Sequence, residues 1–141
     1  MNKKGFTLTE LLAVVVIIAL LSTLAVPNII SMLNRSKNEK FVTDAKQVIA
    51  KAKYYHKKNR PNSYPVTVYV KDLDVKLEKS PFDNDYDINN SIVKVTKDTE
   101  GTLTYSIYLV DKKDGNNIYC IGTFDNPKSE AELKDSVKKC S

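Results

Sequence analysis

The chain has no tryptophan, one histidine, two cysteines, four glycines and five prolines in 141 residues. So little Gly and Pro, with 42% hydrophobic and 28% charged residues, excludes a collagenous, disordered or low-complexity protein. Two cysteines are too few for a disulfide scaffold or an all-cysteine zinc site. The single histidine, His56, excludes a Ser-His-Asp site unless it is itself the base. A Gly-rich phosphate loop, an HExxH helix and a nucleophile elbow are missing too. Neither enzymatic activity nor a cofactor is therefore expected. The length sets an expectation of one domain, or one domain plus an appendage.

What is present divides into two unlike parts. Residues 1–5 read Met-Asn-Lys-Lys-Gly, and residues 11–21 carry no polar side chain. From Phe6 to Leu33 the single ionisable residue is Glu10. About 20 mostly apolar residues suffice to cross a bilayer as a helix. Lys3 and Lys4 should keep the N-terminus in the cytoplasm and send the remainder outward. A cleaved signal peptide with small residues at Thr23-Leu24-Ala25 is one reading, and a plain membrane anchor is another. Neither accounts for Glu10, since a carboxylate at mid-bilayer costs about 2.5–3.5 kcal/mol.

The run Lys4-Gly5-Phe6-Thr7-Leu8-Thr9-Glu10-Leu11-Leu12 resembles the prepilin cleavage site of type IV pilins and their pseudopilin relatives. The resemblance is dense over about the first 30 residues and architectural beyond them. It implies a leader of residues 1–5, cut after Gly5 by a prepilin peptidase, and methylation of the new amine on Phe6. It implies an assembly helix over 6–34 and a head over 35–141. The fold it implies is α+β: a long N-terminal helix on an antiparallel sheet. Glu10 matches the family's glutamate near the mature N-terminus, where it would pair with the amine of a neighbouring subunit and set register. The alternative is that Glu10 caps its own helix. Pro27 falls where many relatives carry a kinking proline, with Ser22 and Asn28 placed to satisfy freed backbone groups. The implied partners are copies of the chain in a helical filament, the peptidase, an inner-membrane assembly platform, and the bacterial cell membrane before assembly. The assembled product would be a surface pilus or an envelope-spanning pseudopilus.

Past Leu33 the pattern turns amphipathic. Phe41, Ala45, Val48, Ala52 and Tyr55 make one helical stripe, with Lys37, Lys40, Asp44, Lys46, Lys51, Lys53 and Lys57 on the solvated side. The helix should run from about Thr7 to Lys58 and stop at Asn59-Arg60-Pro61. His56 is expected to be a solvated or capping residue. Strands are expected at 64–70, 92–95, 103–110 and 117–124, with turns at Glu100-Gly101 and Asp114–Asn117. Cys120 and Cys140 lie on the expected oxidising side, and an even count there favours a disulfide over two free thiols. Such a C-terminal loop is similar to the disulfide-bounded region of many type IV pilins. Within it, Ser129-Glu130-Ala131-Glu132 reads as a capping box opening a short helix.

Two ligand readings compete with bland ones. Asp83, Asp85 and Asp87 alternate like the start of an EF-hand, but Ile88 stands where Gly is needed and Lys94 where Glu is. A solvated turn is the better reading, and no metal is assigned. The formal charge of +5 and eight tyrosines leave DNA as a candidate partner. The lysines mostly decorate the helix, so a solvated face is the default. A competence or minor pseudopilin that captures DNA, or a pseudopilin of a type II secretion system, shares the same assembly chemistry with a pilus subunit.

Overall fold

A computed structural model describes Gly5 and residues 7–140. Helix α1 spans Leu8–Asn59 and continues unbroken through Pro27. The chain divides into two compact units, Met1–Ser36 and Lys37–Ser141.

In the second unit α1 ends where the sequence stops being helical. Asn59 Nδ2 donates to the carbonyl of Tyr55, and Arg60 takes a φ of 38° before Pro61. The inner face of this half carries Phe41, Ala45, Val48 and Ala52, all at most 1% exposed. Tyr55 packs on the same core while half-buried. Ile49 joins them at 0% exposure. It lies one turn beyond Ala45, so the stripe is two residues wide here. Burying each large member contributes about 1.5–3 kcal/mol. Asp44, expected on the solvated side, is buried. It follows Phe41 by three positions and precedes Val48 by four, on the flank of the stripe.

The partner of this face is a seven-stranded antiparallel sheet. Its strands are β1 Val66–Tyr69, β2 Asp85–Tyr86, β3 Ile92–Lys97, β4 Leu103–Lys113, β5 Asn116–Ile121, β6 Lys128–Ser129 and β7 Val137–Lys139. The path is β1-β3-β4-β5-β7, and β2 and β6 each add to β4. Along β4, Ile107 and Leu109 point into the core at 0% exposure. The expected alternation holds as far as Leu109 and ends there, since Val110 and Asp111 are buried as well.

Turn chemistry sets the register. Between β3 and β4, Asp98 Oδ1 accepts from the amides of Glu100 and Thr102 at 2.9 and 2.8 Å. Between β4 and β5, Asp114 and Gly115 have φ of 52° and 83°, the left-handed pair of a type I′ turn. Farther along, Val110 pairs with Cys120 but Lys112 with Asn117, so β5 carries one extra residue.

The C-terminal region departs from expectation. The helix expected after Ser129 is a single 3-10 turn, Glu130–Glu132, and the chain then forms β7 along β5. The capping bonds exist: Glu132 Oε2 accepts from the amide and hydroxyl of Ser129, both at 2.9 Å. An open edge on β5 leaves a row of unpaired backbone groups, and covering it outweighs the local helical signal. The amide of Cys140 extends the pairing by donating to the carbonyl of Ile118 at 2.8 Å. Cys120 and Cys140 are bonded, with Cα atoms 5.8 Å apart.

Candidate processing and assembly segment

Among its described residues the first unit has a helix and no core. The helix is apolar all round, and each large apolar side chain from Leu8 to Leu33 is at least 49% exposed. This is the one helix among the described residues long and apolar enough to cross a membrane. Exposed apolar surface of this extent marks contact with lipid or with other proteins. Three polar residues inside it turn back on the helix. Ser22 donates to the carbonyl of Ile18 at 2.8 Å and Thr23 to that of Leu20 at 2.7 Å. Asn28 reaches the carbonyl of Leu24 at 3.5 Å. Pro27 has no N–H to offer the carbonyl of Thr23. Ser22 and Asn28, expected to serve freed backbone groups, bond carbonyls other than that one.

Gly5 is exposed, with nothing within 4 Å of where a Cβ would stand. Phe6, the expected methylation site, lies outside the described residues, as do Lys3 and Lys4. Glu10 is bonded within its own chain. Its Oε2 accepts from the amide of Thr7 at 3.2 Å, and its own amide donates to Thr7 Oγ1 at 3.2 Å. The two bonds satisfy two donors that the first helical turn leaves free. Thr7 is not among the expected site residues, although Thr followed three positions later by Glu is the capping-box pattern.

The head brings together polar residues that lie far apart in the sequence. Asp111 is fully buried on β4. Its Oδ2 accepts from Ser80 Oγ at 2.7 Å and Asn84 Nδ2 at 3.1 Å. Its Oδ1 accepts from the amide of Tyr119 at 2.7 Å, beside the β5 bulge. Asp44 bonds the Tyr86 hydroxyl at 2.6 Å and pairs with Lys40. Burial, then the bond to Asp44, pushes the Tyr86 phenol far above its ordinary range.

The acidic stretch is thus not the solvated turn expected. Asp83 and Asp85 are exposed, but Asn84 and Asp87 are buried and Asp85–Tyr86 is strand β2. Asp87 Oδ2 accepts from Asn90 at 2.8 Å, and its Oδ1 faces Lys112 Nζ at 3.8 Å. The three carboxylates take separate roles. Among the described residues no group of three or more His, Cys, Asp or Glu is placed to hold a metal ion. His56, expected to be solvated or capping, is half-buried between two tyrosines. Its Nε2 lies 2.6 Å from the Tyr64 hydroxyl and its Nδ1 3.3 Å from that of Tyr105.

Residues 1–26 match the family model described as the prokaryotic N-terminal methylation motif. Over 133 residues the chain is 27% identical to the type II secretion system core protein G of Pectobacterium carotovorum subsp. carotovorum. That alignment covers 94% of this chain and 83% of the relative. Both likenesses support the type IV pilin and pseudopilin family for this chain. No solved structure matches it. That family is one of structural subunits rather than enzymes, and it implies self-assembly into filaments and processing by a prepilin peptidase.

Proposed function

We propose that this chain is a structural subunit of a type IV pilus or pilus-like filament, cut after Gly5, methylated at Phe6 and polymerised through helix 6–34. The observation that carries this reading is the uncovered apolar surface from Leu8 to Leu33, broken by the single ionisable group Glu10. Cutting at Gly5 would free an amine on Phe6, one helical turn from Glu10. In the isolated chain Thr7 occupies the carboxylate. In a fibre the amine of an incoming copy would take it. Two charges brought out of water each need the other, and that need fixes the axial position of one subunit on the next.

The alignment across the head to a type II secretion core protein favours one second reading, a pseudopilin of a secretion system. The assembly chemistry would be the same and the fibre shorter.

The test is to express Glu10→Val as the only copy. Intact mass should show a chain beginning at methylated Phe6, and membrane insertion should hold or improve because a charge leaves the apolar segment. Sheared fibres should nevertheless drop sharply. Normal fibre yield from fully processed Glu10→Val protein would overturn the register role.

A further inference from the structure

The head carries an aromatic cluster beside its first residue, Lys37. Phe82 stacks on Tyr119 with centroids 3.7 Å apart and planes within 8° of parallel. Lys37 holds its Nζ 5.9 Å from the centroid of the Phe82 ring. Fully buried Phe41 lies 6.2 Å from Phe82 and anchors the stack to the core. Phe82 and Tyr119 keep part of their surface in solvent, and Lys37 is exposed. The carboxylate beside the stack, Asp83, has Lys79 Nζ 3.9 Å away, so its charge is offset.

The position of the cluster in the chain decides its meaning. Lys37 follows Leu33, the end of the apolar run, by four positions, so the chain cannot carry it more than about 14 Å from that end. This is the depth at which a membrane-spanning chain meets lipid headgroups. Aromatic rings with a polar tip and lysines on long apolar stems concentrate there, because one end of each is apolar and the other wet. The most exposed aromatic of the head, Tyr54 at 70%, lies about 26 Å farther along α1.

We infer that Lys37, Phe82 and Tyr119 form a membrane-contact surface that rests in the phospholipid headgroup layer before assembly. The surface gives the head a second hold on the bilayer, besides the helix, that must be released when the subunit enters a fibre. This rests on the reading of residues 6–34 as membrane-spanning, and the experiment separates the two.

The chain has no tryptophan, so Phe82→Trp introduces a single indole. Full-length protein is reconstituted into phosphatidylcholine and phosphatidylglycerol vesicles carrying a nitroxide either on the headgroup or deep in the acyl chain. The headgroup nitroxide should quench the indole of Phe82→Trp strongly and the deep one less. Neither should quench the indole of Tyr54→Trp. Equal quenching at the two positions overturns the inference, as does stronger quenching from the deep nitroxide at Phe82→Trp. Tyr119→Trp gives the same readout if Phe82→Trp does not fold. Flotation of the same vesicles reports on the spanning reading. Protein that fails to float overturns that reading, whereas protein that floats unquenched overturns the contact surface alone.

Discussion

The two halves of one helix meet opposite fates. Between Phe41 and Ala52 five apolar side chains are at most 1% exposed, whereas between Leu8 and Leu33 none of the large ones falls below 49%. Helix propensity does not separate the halves, since both are continuous α-helix. What separates them is periodicity. The later half restricts its apolar residues to one stripe and buries it on its own sheet. The earlier half is apolar on all sides, and no single face of a sheet could cover it. One half is completed by its own chain, and the other needs lipid or other copies.

The strongest way to break this contrast is to cut between the halves. A chain beginning at Lys37 should be soluble and monomeric by light scattering. The remaining apolar stripe is already covered by the sheet. Aggregation of that head would show that its own surface, and not the apolar half, drives self-association.

Inside the head the next largest effect should come from Asp111→Ala. The substitution strips the partner from the Tyr119 amide, the Ser80 hydroxyl and the Asn84 amide together. Leaving buried donors unmet should cost about 4 kcal/mol in urea unfolding of the head. A loss below about 1 kcal/mol would mean that water reaches those donors. Cys120→Ser follows. The bond spans 20 positions and should contribute about 3 kcal/mol, with the full effect seen only in oxidised protein. Peptide mapping that found both thiols free in exported protein would remove the effect at its origin.

The same contrast governs what could be read in advance. The apolar segment was legible because, among the described residues, it has no tertiary partner within the chain: composition alone shows a helix apolar on all sides. The buried stripe from Phe41 to Ala52 was legible too, as a clean 3.6-residue period. The strands at β3, β4 and β5 showed through β-branched alternation and two glycine turns. What stayed hidden depends on contacts distant in sequence. Asp44 looks solvated until Tyr86, 42 positions away, supplies a hydroxyl. Nothing local to Asp111 indicates three donors arriving from two other segments. Residues 137–139 carry a helical spacing, yet the open edge of β5 makes them a strand. His56 reads as solvated because its tyrosine partners lie 8 and 49 positions away.

The smallest effect concerns Glu132, where a local signal kept its chemistry and lost its helix. The carboxylate is exposed, and the Ser129 amide, then the Ser129 hydroxyl, hold it below the ordinary glutamate value of 4.5. Because the folded value is the lower one, its contribution is present above the unfolded value and fades as pH falls through the folded one. Glu132→Gln keeps the shape and removes the charge. At neutral pH this variant of the head should unfold at slightly lower urea than the parent. Below about pH 4, where the unfolded glutamate protonates, the gap should narrow until the two curves meet. A gap that stayed constant down to about pH 2.5 would mean that the charge of Glu132 contributes nothing and the Ser129 bonds serve the turn as neutral contacts.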